Sequence, residues 1–96
     1  LAEMFSEIHP AEFEYIYIAS VAYKRARIFS KALETGERLK YRFPDMLKNL
    51  TNLSEIYFYF KDYQRSLEMT KKALKQDPEN IRALLIKKKL AKLNIK

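Results

Sequence analysis

The stretch LTNLSEIYFYFKDYQRSLEMTKKALKQDP, residues 50–78, has the pattern of two amphipathic helices joined by a short turn. Its first half carries a stripe with the i, i+3, i+4, i+7 spacing of one helical face, formed by Leu50, Leu53, Ser54 and Tyr57. Lys61-Asp62 interrupts this pattern, and a second stripe starts at Tyr63. Pro78 ends the second helix because proline cannot continue one. Two such short helices cannot bury their own apolar faces, so the pair needs neighbours.

The neighbours are indicated by a repeat in the same sequence. The three prolines of the chain, Pro10, Pro44 and Pro78, are spaced 34 residues apart. Further positions match at this offset: Ile16 with Leu50 and Leu84, Ser20 with Ser54, Tyr23 with Tyr57, Phe29 with Tyr63, Ala32 with Ser66, Leu33 with Leu67, and Glu34 with Glu68. A period of this length with helix–turn–helix content indicates a repeat architecture.

The repeat resembles the tetratricopeptide repeat (TPR) family, whose motif runs W-x2-L-G-x2-Y, then A-x3-F, then P. The clearer copy is Leu50-x2-Leu53-Ser54-x2-Tyr57, Ser66-x3-Thr70 and Pro78. The weaker copy is Ile16-x2-Ala19-Ser20-x2-Tyr23, Ala32-x3-Gly36 and Pro44. The resemblance implies an all-α fold, a right-handed α-solenoid of antiparallel helix pairs with 34-residue TPR-like repeats.

The repeat register divides a single TPR-like domain, residues 1–96, into four parts. Residues 1–10 are the end of a truncated repeat, 13–46 and 47–80 are repeats, and 81–96 are a C-terminal capping helix. The turn near residues 25–28 is weakly marked, because Arg27-Ile28 stands where the family commonly has Gly-Asp. Asp45 and Asp62 are predicted N-caps of the third and fourth helices.

Composition limits the other possibilities. The chain has 48% hydrophobic and 32% charged residues, as folded domains do, and no apolar run of membrane-spanning length. It has no cysteine and no visible signal peptide. It starts at Leu1 rather than Met, as expected of a fragment or processed product, so the compartment stays open with the cytoplasm slightly favoured.

Residues that could carry enzyme chemistry are scarce. His9, beside Pro10, is the only histidine and is expected to lie in a surface turn. Without cysteine or a second histidine, neither a metal cluster of these ligands nor a Cys–His pair can form. A single glycine excludes a glycine-rich phosphate loop. We therefore expect a protein that is not an enzyme and uses no cofactor or metal.

The family resemblance implies that the first helix of each repeat lines a concave groove for a peptide. The corresponding residues are Tyr17, Val21, Lys24, Arg25, Lys48, Asn52, Glu55, Tyr59, Arg82 and Lys89. Basic groups outnumber acidic ones among them, which favours an acidic peptide or a free C-terminal carboxylate. Some members of the family hold chaperone tails with a set of side chains called a carboxylate clamp. In this chain only Asn52 matches a clamp residue well and Arg82 matches one loosely, so chaperone-tail binding is not expected.

Charge is distributed unevenly and leaves two alternatives open. Residues 1–14 have a net charge of −4 and residues 81–96 a net charge of +6. The last helix carries a basic patch of Lys87, Lys88, Lys89 and Lys92. It is a solvated cap, a surface that attracts an acidic protein partner, or a site for nucleic acid or an anionic membrane. The acidic start and the basic end also permit head-to-tail self-association.

Overall fold

Five helices joined by turns of three or four residues form residues 10–96, the part of the chain that the computed structural model describes. They are α1 (Pro10–Arg25), α2 (Phe29–Arg42), α3 (Leu47–Tyr59), α4 (Tyr63–Gln76) and α5 (Ile81–Lys92). No strand occurs in this range, so the all-α prediction is confirmed. Residues 1–9 of the predicted truncated repeat, with the predicted turn at His9, lie outside the described residues.

The helices repeat with the period of the sequence. Phe29 and Tyr63 begin α2 and α4, lie 34 positions apart, and open helices of the same length, 14 residues. Leu47 and Ile81 begin α3 and α5 at the same separation. The sequence period is therefore also a period of helix boundaries.

Helix α3 lies at the centre of the packing. Each helix packs against the next one along the chain, and α3 additionally contacts both α1 and α5. Helices α2 and α4 make no such contact with each other among the described residues. The described chain is elongated, with extents of 47 × 28 × 18 Å. Helix α3 consequently lies between α1 and α5 and contacts both.

The core follows the stripes seen in the sequence. Leu50, Leu53 and Tyr57 are at most 1% exposed, and Met69 and Ala73 of α4 are buried with them. The Tyr57 hydroxyl donates a hydrogen bond to Glu37 of α2, which satisfies its one polar atom. Burial, and then the bond to Glu37, raise the pKa of Tyr57 well above its ordinary value. Removal of this apolar surface from water is the main stabilising contribution.

In each helix pair one serine hydroxyl bonds the two helices together, and the two bonds join the same repeat positions. Ser20 Oγ of α1 donates to the Ala32 carbonyl oxygen of α2 at 2.8 Å. One repeat later the hydroxyl is on the other helix, and Ser66 Oγ of α4 donates to the Ser54 carbonyl oxygen at 2.8 Å. All four residues are fully buried. Small side chains are needed here because the helices approach closely.

Gly36 allows a similarly close approach of α2 and α3. A Cβ atom at this position would lie 2.8 Å from Leu53 Cδ2, which is too close for a relaxed contact. The Asn49 side-chain amide donates to the Gly36 carbonyl oxygen at 2.9 Å. The glycine stands where the family motif has an aromatic residue, and the packing of Leu53 uses the space that an aromatic ring would fill.

The two turns within the helix pairs have the same construction. In the first, Ile28 N donates to the Tyr23 carbonyl oxygen and Arg27 N to that of Lys24, with Arg27 at a φ of 64°. In the second, Lys61 has a φ of 63° and equivalent bonds close the turn. This is the Schellman motif, which usually has glycine at the left-handed position. The weakly marked turn is therefore a complete helix end, and α1 and α2 are separate helices.

The helix caps differ in part from the prediction. Asp62 caps α4 by accepting a hydrogen bond from Arg65 N, as predicted. Asp45 does not cap α3, because the helix starts one residue later and Met46 occupies the N-cap position. Asn80, which the sequence analysis did not single out, caps α5 by accepting from Ala83 N at 2.9 Å.

Glycine at residue 61 should stabilise the fold. A left-handed conformation costs a non-glycine residue about 1–2 kcal/mol, part of which glycine loses again through its greater freedom when unfolded. We expect Lys61→Gly to raise the unfolding free energy by up to about 1 kcal/mol in urea denaturation. Lys61→Ala, which removes the same side chain and keeps the strain, is the control. Equal stability of the two variants would contradict the strain argument.

Candidate interaction surface on α1, α3 and α5

A carboxylate at the middle of the molecule connects three helices. Glu55 of α3 accepts a hydrogen bond from Lys24 Nζ of α1, with 2.6 Å between Nζ and Oε1. It also accepts from Arg82 of α5, whose Nη2 lies 2.6 Å from Oε1 and whose Nε lies 3.0 Å from Oε2. The guanidinium therefore donates through two of its nitrogens, one to each carboxylate oxygen, which fixes its orientation as well as its position.

The surroundings hold these groups in their charged forms. Burial by itself would raise the pKa of Glu55, but the hydrogen bonds from Arg82 and Lys24 outweigh it and hold the pKa below its ordinary value of 4.5. The bond to Glu55 raises the pKa of Arg82 in turn, against the opposing effect of burial. The cluster is therefore an ionised bridge at neutral pH.

A second ion pair joins α1 and α3 nearer the start of both helices. Lys48 Nζ lies 2.9 Å from Glu14 Oε2, and the same ammonium group lies 5.5 Å from the centre of the Tyr17 ring. The hydrogen bond to Glu14 raises the pKa of Lys48. Both charged side chains are about half exposed, so this pair contributes little to stability. It does place an ammonium group beside the half-buried Tyr17 ring.

The structure brings five of the ten predicted groove residues together. Lys24 and Arg82 both pair with Glu55, and the ammonium group of Lys48 contacts the Tyr17 ring. Tyr17 also lies near enough to Arg82 to help raise its pKa. We call these five residues the bridge surface. Its three cations are all paired with carboxylates of the same chain, which the sequence pattern did not reveal.

The other predicted groove residues are placed differently. Val21 and Arg25 border a shallow depression on α1 together with Tyr17. Lys89 of α5 is exposed, with its ammonium group 5.8 Å from the Phe58 ring of α3. Tyr59 is 48% exposed, but one face of its ring stacks on Phe29 of α2 at a centroid distance of 3.5 Å.

Asn52 has no exposed surface at which a peptide could bind. It is 0% exposed, and its Nδ2 donates to Ser20 Oγ at 2.8 Å. Since Ser20 in turn donates to the Ala32 carbonyl oxygen, the amide extends a buried chain of hydrogen bonds from α3 through α1 to α2. Asn52 therefore holds the helices that carry the bridge surface.

The basic patch of α5 is open to solvent. Lys87, Lys88, Lys89 and Lys92 are all exposed, while Ala83, Ile86 and Leu90 of the same helix are buried. Lys87 and Lys88 stand one repeat after Leu53 and Ser54, which are buried in α3. The last helix consequently has one packed face and one lysine-rich face.

Two general features of the described residues bear on function. No three or more His, Asp or Glu side chains within residues 10–96 are grouped so that they could hold a metal ion. No helix in that range combines the length and the apolar character needed to cross a membrane.

Comparisons with known proteins do not add a relative. No protein-family model matches the chain, and no curated protein or solved structure is significantly similar to it.

Sequence reasoning placed Glu14 at a groove position of the first repeat but missed its pairing with Lys48. The signal was present, because Glu14, Lys48 and Arg82 occupy the same position in successive repeats and carry charges of opposite sign on α1 and α3. Lys24 and Glu55, by contrast, are 31 residues apart and occupy different repeat positions. No spacing rule pairs them, and only the packing of α1 on α3 does.

Replacement of Glu55 by Gln should destabilise the protein in a pH-dependent way. We expect Glu55→Gln to lower the unfolding free energy at pH 7 by about 1–2 kcal/mol, between the values for exposed and buried ion pairs. Folding lowers the pKa of Glu55 below 4.5, so the bridge stabilises the protein above that pH and loses its contribution as the pH falls through the lowered pKa. Urea denaturation at pH 7 and near pH 2 measures this.

The matched control is Glu68→Gln, which neutralises an exposed carboxylate on α4. Its stability relative to the unmodified protein should change little between the two pH values. The unfolding free energies of the Glu55→Gln variant and the unmodified protein should converge near pH 2. A difference that persists there would mean that the charge of Glu55 is not what stabilises the fold.

Proposed function

We propose that this chain is a non-enzymatic protein–protein interaction module of the TPR type, a right-handed solenoid of antiparallel helix pairs. The 34-residue period of helix boundaries supports this assignment, as does the contact of α3 with both α1 and α5. In such an arrangement the first helices of successive repeats line the inner surface. The surface formed by α1, α3 and α5 is then the binding groove for a peptide or an extended segment of a partner protein.

The observation that carries the proposal is the Lys24–Glu55–Arg82 bridge. It holds three successive first helices in a fixed relation and places charged and aromatic side chains along one surface. Fixed side chains lose little conformational freedom on binding, which favours recognition. The bridge surface combines the Tyr17 ring, the Glu55 carboxylate and three cationic side chains.

The charges along α1, α3 and α5 favour a ligand with both apolar and acidic groups. Lys24 and Arg82 already neutralise Glu55, so the partly exposed Lys48 and the exposed Lys89 are the cations most accessible to a ligand. Each lies beside an aromatic ring, Tyr17 and Phe58 respectively. An acidic side chain or a C-terminal carboxylate could pair with either lysine while neighbouring apolar groups cover the ring.

A peptide-display selection against the 96-residue chain tests the proposal. We expect selected peptides to carry acidic and aromatic residues and to shift the NMR resonances of α1, α3 and α5. Lys48→Glu/Lys89→Glu should weaken their binding at least about tenfold, because two attractive contacts become repulsive. Both lysines are exposed, so the variant should keep its fold.

The matched control is Arg38→Glu/Lys72→Glu, which makes the same change of charge on α2 and α4. These two residues are exposed, and they are equivalent in successive repeats. Peptide affinity should stay close to that of the unmodified chain. Equal weakening by both variants would show that only net charge attracts the peptides, and resonance shifts confined to α2 and α4 would place binding outside the proposed groove.

A second function is favoured by the basic patch of α5, whose four lysines are all exposed. In this alternative the chain is a helical adaptor that binds nucleic acid or an anionic membrane through electrostatic attraction to phosphates. Its affinity would fall steeply as the salt concentration rises, by an amount that reflects the number of phosphates contacted.

Replacement of three lysines distinguishes binding at the basic patch from peptide binding in the groove. We expect Lys87→Gln/Lys88→Gln/Lys92→Gln to abolish binding to single-stranded oligonucleotides or to vesicles rich in phosphatidylserine, and to leave peptide binding unchanged. Fluorescence anisotropy and vesicle co-sedimentation measure the two ligands. Lysines 31, 61 and 72, which are exposed and lie away from Lys87, provide a control of the same charge when replaced by Gln together. Equal losses in both triple variants would contradict a site on α5.

A further inference from the structure

Two lysines lie on opposite sides of the Glu55 carboxylate. Lys48 stands seven residues before Glu55 on α3, and Lys89 stands seven residues after Arg82 on α5. Seven residues are two helical turns, so each lysine shares a helix face with a residue of the bridge. Arg82 contacts Glu55, and Lys89 approaches Phe58 further along α3, so α3 and α5 run in the same direction. One lysine therefore precedes the bridge and the other follows it.

The rise of the helices gives the separation of the two lysines. At 1.5 Å per residue, Lys48 lies about 15 Å along α3 from Phe58, whose ring is beside the Lys89 ammonium group. Seven residues on each side of the bridge give about 20 Å. An extended peptide rises about 3.3 Å per residue, so about five or six residues cover this distance. A spacing of six also turns both side chains to the same face of the peptide.

The cations at the two ends are open to a ligand. Lys89 is exposed, lies against the Phe58 ring, and pairs with no carboxylate of residues 10–96. Lys48 pairs with Glu14, but the two side chains are 56% and 51% exposed. A pair as exposed as this contributes little to stability. A ligand carboxylate therefore takes the place of Glu14 at small cost.

The cations in the middle are already occupied. Lys24 and Arg82 donate three hydrogen bonds to Glu55, and these bonds use both of its carboxylate oxygens. The side chains of Lys24 and Glu55 are only 17% and 26% exposed. A ligand carboxylate at this point has to displace Glu55 or lie beside it, and two neighbouring carboxylates repel each other. The middle of the groove therefore favours an uncharged residue.

We propose that the groove binds an extended segment with two acidic residues six positions apart and uncharged residues between them, and that Glu55 excludes an acidic residue from the middle. This inference rests on the proposed peptide-binding function and specifies its ligand. The outer acidic residues pair with Lys48 and Lys89, and apolar groups beside them cover the Tyr17 and Phe58 rings. The spacing of the ligand's charges is then recognised as well as their sign.

Fluorescence anisotropy with two labelled ten-residue peptides tests the spacing. Both peptides contain two aspartates among alanine and tyrosine residues, six positions apart in the first and two positions apart in the second. We expect the unmodified chain to bind the first at least about fivefold more tightly, because only that peptide reaches both lysines. Lys89→Gln should remove the difference, and the control Lys72→Gln, at an exposed position of α4, should keep it. Equal affinities of the unmodified chain for both peptides overturn the inference.

A third aspartate, midway between the two that stand six apart, tests the role of Glu55. We expect the unmodified chain to bind this peptide no more tightly than the peptide without the central acid. Glu55→Gln removes the competing charge and should bind it at least about fivefold more tightly than the unmodified chain does. The control Glu68→Gln should bind it as the unmodified chain does. An equal gain in both variants, or no gain in a folded Glu55→Gln chain, overturns the role of Glu55.

Failure of this inference and failure of the proposed function give different results. Equal affinities with NMR shifts on α1, α3 and α5 would leave the groove in place and contradict the spacing. If neither peptide binds, the spacing is wrong, and the peptide-display selection decides the proposed function separately. Circular dichroism checks that each variant is folded, and the comparison of the two spacings on the unmodified chain depends on no variant.

Discussion

Eight of the thirteen residues of α3 are buried, and four of these eight are polar: Asn49, Thr51, Asn52 and Ser54. A polar side chain can be buried at low cost only if it is hydrogen-bonded. Thr51 and Ser54 donate to carbonyl oxygens of α3 itself, whereas the two asparagines need acceptors on the neighbouring helices. Asn49 donates to Gly36 of α2, and Asn52 donates to Ser20 of α1. This requirement sets the register between α3 and its neighbours, on which the core and the surface bridge both depend.

The same central helix connects the core to the surface. On one side its apolar residues pack against α4, and on another Glu55 draws Lys24 and Arg82 toward it from α1 and α5. Partly buried ion pairs contribute modestly to stability, but they define geometry closely because each charge has few alternative partners. For a binding surface, a fixed arrangement of side chains matters more than the stability that the ion pairs contribute, since a prearranged surface loses less entropy when a ligand binds.

Periodicity predicted the helices more accurately than it predicted their caps. The second stripe of residues 50–78, which starts at Tyr63 and ends before Pro78, is the observed α4, Tyr63–Gln76. Phe29, one repeat before Tyr63, likewise begins α2. The third helix has Met46 rather than the predicted Asp45 at its N-cap position, since residues 43–46 form the turn that contains Pro44. Capping depends on the conformation of one residue, which tertiary contacts can shift by a position, whereas an apolar stripe averages over several turns.

The sequence by itself determined the helices, their period and the faces that they bury, because these follow from spacings of three and four residues within one helix. It also showed that charge is separated between the two ends of the chain. Only the tertiary structure decided that Asn52 is buried, that Tyr59 stacks on Phe29, and that Lys24 and Arg82 share the carboxylate of Glu55. Lys24 and Arg82 are 31 and 27 residues from Glu55 in the sequence. The distance between side chains so far apart depends on how whole helices pack.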